Sequence, residues 1–260
     1  MAIPDERRRR CMKPVLIVKL GATFPDLARS HGDFEDWIAE RLGPDVGQVT
    51  VHDPCLAELP DPKRFSGVIL TGSHAMVTEH RDWSQRTAAW IPAVIRSATP
   101  LLGICYGHQL VAHALGGSVR DNPRGRQFGT VSISKHPMAE TDPLFADLPE
   151  RFAAQTCHTQ RVLSLPPNAI CLAASPMDAH QAYRIGDRTW GVQFHPEFDE
   201  IATKAYIDHC AEILQAQGDD PVRLRATVTA TPWSESLLNR FATIAACDRQ
   251  GRTICPLLLL

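Results

Sequence analysis

No two of the eight cysteines stand as a Cys-x-x-Cys pair, and His74, His80, His113, His180 and His209 show no metal-ligand spacing. This argues against a zinc ribbon, a thioredoxin-like site or a secreted disulfide scaffold, and it fits a reducing, cytoplasmic setting. No apolar run approaches a transmembrane span. Arg7 to Arg10 are not followed by an apolar segment of signal-peptide length, so residues 1–13 read as a flexible, solvated tail. There is no excess of either charge: the formal net charge is −2 with the signs interspersed, which points away from a nucleic-acid or membrane surface. Internal repeats and low-complexity tracts are absent too. What is present is 260 residues with 44% hydrophobic content, ample for a packed core.

Up to Gly117 the chain alternates buried strands with amphipathic helices. Pro14 to Leu20 is a β-branched apolar run of the kind that fills a buried parallel strand. After a loop, Phe34, Trp37, Ile38 and Leu42 fall at helical spacing, with Asp33 as N-cap and Gly43-Pro44 as the stop. Strands follow at Gln48 to His52, Ser66 to Thr71 and Leu101 to Ile104, with a helix predicted over Trp83 to Ser97. Such alternation predicts an α/β fold with a doubly wound, flavodoxin-like and mostly parallel sheet flanked by helices, whose ligands bind beyond the carboxyl ends of the strands. Beyond Gly117 the pattern changes to strands around Gly129 to Ser134, Ala153 to His158, Ala169 to Ala174 and Ala179 to Ile185. No helix of length separates them, so they predict an added antiparallel portion, either extending the sheet or beside it. A strand over Asp187 to Phe194 and a helix over Phe198 to Gln217 complete a domain of residues 14–217. Gly218 to Pro221 marks a boundary, and residues 218–260 read as an extension packed on that domain.

The stretch LLGICYGHQLVAHALGG, from Leu101 to Gly117, carries the chemistry. An apolar strand ends at Cys105, with Gly103 and Gly107 two residues away on either side and helix formers following. Small flanking residues allow the sharp strand-to-helix turn that presents a nucleophile at a helix N-terminus. There the helix dipole favours a thiolate, and the next amide can face a developing oxyanion. A buried structural cysteine is the competing reading. Downstream, His195 and Glu197 leave the same face if their segment stays extended. A carboxylate beside a histidine fixes its tautomer and stabilises its imidazolium, the third-group role of a catalytic triad. The other histidines read as structure: His108 as a capping or packing group, and His158 as a strand neighbour facing away from Cys157. The turn at Arg124 and Arg126 suits an anion or plain solvent.

Taken together, SGVILTGS, GICYGHQ followed by ALGG, and GVQFHPEF, in that order, resemble the class I, triad-type glutamine amidotransferases. The likeness covers residues 14–217 and is nearest to the glutaminase domain of GMP synthetase and its stand-alone relatives, which include γ-glutamyl peptidases. It implies Cys105 as nucleophile, His195 as general base and acid, and Glu197 as its orienting partner. It further implies an oxyanion hole from Gly72, Ser73 and Tyr106, substrate contacts from Gln109 and the segment His158, Thr159 and Gln160, and neither metal nor other cofactor. The substrate so implied is glutamine or another γ-glutamyl compound. No SGGxDS-type pyrophosphate loop is present, so ammonia is expected to be released or passed to a separate synthetase subunit. The chain departs from the family in having Gly72-Ser73 in place of two glycines, and Thr159-Gln160 in place of Gly-Asp.

Overall fold

The computed structural model describes residues 13–43 and 46–247. Within them, the apolar runs become strands β1 (Val15–Val18), β3 (Gly67–Leu70), β4 (Leu101–Ile104) and β11 (Thr189–Val192), every residue of which is buried. Full burial on both faces is what a parallel sheet covered by helices demands, and it is why these segments lack the alternation of a half-exposed strand. With β2 (Val49–His52) on the outer edge, they form the parallel part of a sheet ordered β2-β1-β3-β4-β11.

The sheet continues as β10-β9-β6-β7, built from β6 (Gln127–Lys135), β7 (Arg151–His158), β9 (Ala169–Ala174) and β10 (Ala182–Ile185), all antiparallel to their neighbours. Both arrangements open to the sequence occur, because β5 (Ser118–Asp121) and β8 (Gln160–Ser164) also pair as a separate antiparallel ribbon. Neither of those two short strands carries an apolar alternation that would have marked it.

On one face of the sheet lie α2 (Phe34–Leu42) and α8 (Pro232–Ala245), on the other α3 (Asp82–Arg96) and α4 (Tyr106–Ala114). The N-cap of α2 is the expected Asp33, closed by a reciprocal capping box with Asp36. Helix α8 lies beyond Gly218, yet Leu237, Leu238 and Phe241 are fully buried in the same cluster as Ile38, Leu42 and Trp190. Its approach is close: a Cβ at Gly67 would come within 2.9 Å of the Ala245 methyl. Residues 248–260, including the CPLLLL run, lie outside the described part, as does most of the N-terminal tail.

Three local expectations are corrected. The loop after β1 contains a short helix, α1 (Pro25–His31), begun by a proline at its first turn. The single helix expected over 198–217 is two, α5 (Glu200–His209) and α6 (Ala211–Gln217), interrupted at Cys210. Another, α7 (Pro221–Ala226), begins at the proline that ends the boundary turn, with Asp220 accepting from the amides of Val222 and Arg223.

Candidate active site

Cys105 sits between β4 and α4 with φ 48° and ψ −99°, a conformation that non-glycine residues seldom adopt. The two flanking glycines are what make the turn fit. A Cβ on Gly103 would lie 2.5 Å from the Gly107 carbonyl group, and one on Gly107 would lie 2.5 Å from the carbonyl oxygen of Leu70. The first turn of α4 therefore packs directly on the ends of β3 and β4. Hydrogen bonds from Cys105 N to Val192 O (2.8 Å) and from Gly107 N to Thr71 O (3.2 Å) hold it there. The amide of Tyr106 occupies the first position of the helix, where backbone donors have no partner within the helix.

His195 and Glu197 reach this point from the end of β11. The HPE segment is a turn rather than an extended strand, closed by Phe198 N on His195 O at 3.3 Å, so the two side chains meet by chain reversal and not by strand alternation. His195 Nδ1 lies 2.7 Å from Glu197 Oε1. The ring stacks on Phe198, with centroids 4.1 Å apart, and Glu197 is fully buried. Burial alone would hold the imidazolium down, but Glu197 and Cys105 overcome it and push the His195 pKa up to about 10. Gly72 passes close by: a Cβ there would stand 3.2 Å from His195 Cε1 and 3.9 Å from Cys105 Cβ. Ser73 follows in the same loop, its hydroxyl accepting from Ala75 N at 3.2 Å.

Cys105 opens into a pocket of about 300 Å³ bordered by Ser73, Tyr106, Gln109, Cys157, His158, Thr159 and Gln160. Neither His195 nor Glu197 is among the described residues that border it. Gln109 and Gln160 are themselves pinned: Gln109 Nε2 donates to Gln160 O (2.8 Å) and Gln193 Oε1 (3.0 Å), and Gln160 Nε2 to Thr78 and Asp121. Both ring nitrogens of His158 are engaged, with Gln160 O at 3.0 Å and Gln127 Oε1 at 3.1 Å. A larger cavity, about 600 Å³, lies at the opposite ends of β4 and β11, but the described residues around it include none of Cys105, His195 and Glu197.

His74 and Tyr206, to which sequence reasoning gave no substrate contact, also border the small pocket, as do Arg126, of the turn read as suiting an anion or solvent, and Cys157. His74 Nε2 and the Tyr206 hydroxyl are 3.0 Å apart across 132 positions, a pairing with no local sequence signal. His108, by contrast, packs away from the pocket as expected, its ring centroid 4.7 Å from that of Tyr183. A Cβ at Gly191 would fall 2.7 Å from its Nδ1. Burial holds His108 neutral, its pKa lowered to about 3. Because the unfolded chain takes up this proton near 6.5, the folded state loses stability as pH falls from 6.5 toward 3, by roughly 1.4 kcal/mol per unit at most. Urea unfolding at pH 7.5 and pH 5 should therefore show a smaller acid loss in His108→Leu than in the native chain. Equal losses in the two proteins would show that His108 does not set that slope.

Residues 33–212 match the family model of the class-I glutamine amidotransferases. The chain is 29% identical to gamma-glutamyl peptidase 4 of Arabidopsis thaliana over 176 residues, which cover 66% of this chain and 70% of that protein. It is 37% identical over 188 residues to the glutamine-hydrolyzing GMP synthase of Thermosipho africanus, covering 72% of this chain and 33% of the synthase. Among solved structures, a glutamine amidotransferase from Thermotoga maritima superposes with a TM-score of 0.68 at 22% identity, covering 89% of this chain and 96% of that one. A glutamine amidotransferase from Methylobacillus flagellatus gives 0.66 at 22% identity, with 90% and 93% covered, so both structural likenesses speak to the fold.

Proposed function

Because the chain belongs to the class-I glutamine amidotransferase family, a family of cysteine-dependent amidohydrolases, we propose that it hydrolyses the side-chain amide of glutamine through a Cys105 thioester. The observation that carries this reading is the set of contacts at the C-terminal ends of β4 and β11. A strained cysteine at a helix N-terminus and a buried histidine flank Gly72 together, and the histidine Nδ1 meets a buried carboxylate. In this reading Cys105 Sγ attacks the amide carbon while the backbone amides of Tyr106 and the Gly72-Ser73 loop receive the oxyanion. The C–N bond breaks as the His195 imidazolium gives its proton to the departing ammonia. His195 then takes a proton from water, whose oxygen attacks the thioester carbon, and glutamate leaves as the thiol is restored. Glu197 holds the imidazole with Nδ1 protonated and Nε2 toward the reacting atoms. The ammonia goes to solvent or to a separate synthetase subunit.

A second reading is favoured by the likeness to gamma-glutamyl peptidase 4, of which the chain covers 70%. In it the same acyl-enzyme forms from a γ-glutamyl amine or peptide, and an amine or amino acid departs in place of ammonia. Thr159 and Gln160, on the pocket border, stand where the resemblance implies Gly-Asp. A panel of glutamine, γ-glutamyl dipeptides and γ-glutamyl amines separates the two, read by released ammonia and by released glutamate. The glutaminase reading expects glutamine to give the highest kcat/KM. Dipeptides turned over at least tenfold better than glutamine would replace it with the peptidase reading.

A further inference from the structure

The turn that precedes β6 places one cation on the border of the Cys105 pocket. Of its two arginines, Arg124 is exposed and its guanidinium bonds the carbonyl of Pro176, whereas Arg126 is half-buried and borders the pocket. Arg126 is the only lysine or arginine among the described pocket residues, and no aspartate or glutamate accompanies it there.

Its backbone is fixed from both sides. Gly125 takes φ 90°, and Gln217 at the end of α6 accepts from Arg126 N at 2.9 Å while donating to Arg126 O at 3.3 Å. A guanidinium offers five N–H donors. Among the described residues this one bonds Thr159 Oγ1, at 2.5 Å, and forms no ion pair with a carboxylate.

Cys157 ties this cation to the nucleophile. Its carbonyl accepts from Cys105 Sγ at 3.8 Å, and burial pushes its thiol pKa up against the opposing field of Arg126. Cys210, also on the pocket border, feels the same cation. Arg126 and Cys105 thus border one pocket of about 300 Å³, in which a γ-glutamyl group spans about 5 Å from amide carbon to α-carboxylate. A planar, permanently charged fork with spare donors in a partly enclosed pocket matches a carboxylate better than any other group of that substrate.

We propose that Arg126 determines specificity by receiving the α-carboxylate of the γ-glutamyl group whose amide carbon lies at Cys105. This rests on the nucleophile assignment above but not on whether the leaving group is ammonia or an amine. A test independent of turnover uses the chloroketone analogue of glutamine, in which a chloromethyl group replaces the amide nitrogen. The Cys105 sulfur displaces chloride and forms an S–C bond, followed by mass spectrometry of the modified peptide. The matched probe is the same reagent with its α-carboxylate converted to a carboxamide. In the native chain the acid should modify Cys105 about ten- to hundredfold faster than the carboxamide. In Arg126→Gln that preference should fall to near unity with the carboxamide rate unchanged, and Arg126→Lys should keep an intermediate preference. Equal rates for the two reagents in the native chain, or an Arg126→Gln variant slowed alike with both, would overturn the role of Arg126 while leaving the nucleophile in place. Failure of both reagents to modify Cys105 would overturn the nucleophile assignment and this proposal with it.

Discussion

Cys105→Gly and Cys105→Ala should both lose at least about 10⁴-fold in amide hydrolysis, and the glycine variant should be the more stable of the two by about 1 kcal/mol. The two effects come from one position for different reasons. In the proposed mechanism, removing the thiol deletes the atom that forms the covalent intermediate, and neither His195 nor the backbone donors can replace it. The stability difference comes from the backbone. At φ 48° and ψ −99° a side chain is strained, and such conformations cost of order 1–3 kcal/mol. Glycine removes the strain but gives up some unfolded-state restriction, while alanine keeps the strain and also lacks the sulfur. Ammonia or glutamate release measures the first effect, and urea unfolding of the two inactive proteins the second. Activity within tenfold of the native chain in either variant would end the nucleophile assignment. An alanine variant as stable as the glycine one would show that the turn stores no strain.

The strain explains why this part of the molecule was legible from sequence. Gly103 and Gly107 are needed because a Cβ at either position would meet backbone at 2.5 Å, and a requirement of that kind leaves a fixed pattern, glycine two residues before and two after the cysteine. The parallel strands were legible for a similar reason, since burial of every residue in β1, β3, β4 and β11 leaves an unbroken apolar run. Features set by distant partners left no such trace. Arg126 owes its place to Gln217, 91 positions away, and Tyr206 meets Thr23 across 183 positions. Strands β5 and β8 are stabilised by each other and carry weak patterns of their own. The helix break at Cys210 has no glycine or proline to announce it. The HPE turn lies between these cases: its residue types pointed to a histidine–carboxylate pair, but the extended geometry assumed for it does not occur, and the pair forms through the bend.

The other large effect is expected at Glu197. In Glu197→Gln the rate of amide hydrolysis should fall about 10²- to 10⁴-fold with the protein still folded. The substitution keeps the shape of a fully buried side chain and removes its charge. A neutral amide can still accept from His195 Nδ1, so orientation survives in part. What is lost is stabilisation of the imidazolium, the form that protonates the leaving nitrogen in the proposed mechanism. The same loss has a thermodynamic signature that a packing defect would not produce. In the native chain burial opposes the charged His195, but Glu197 and Cys105 outweigh it and carry the pKa from an ordinary 6.5 to about 10. Between those values the folded state binds a proton that the unfolded chain has released, so stability falls as pH rises from 6.5 through 10. Below 6.5 the contribution is fully present. Without the Glu197 charge the His195 pKa drops, the window narrows, and the decline in unfolding free energy between pH 7 and pH 10 becomes shallower. Urea unfolding across that range, paired with rate measurements, reads both consequences on the same two proteins. A variant as active as the native chain, with an unchanged alkaline slope, would show that Glu197 neither holds nor charges the histidine beside Cys105.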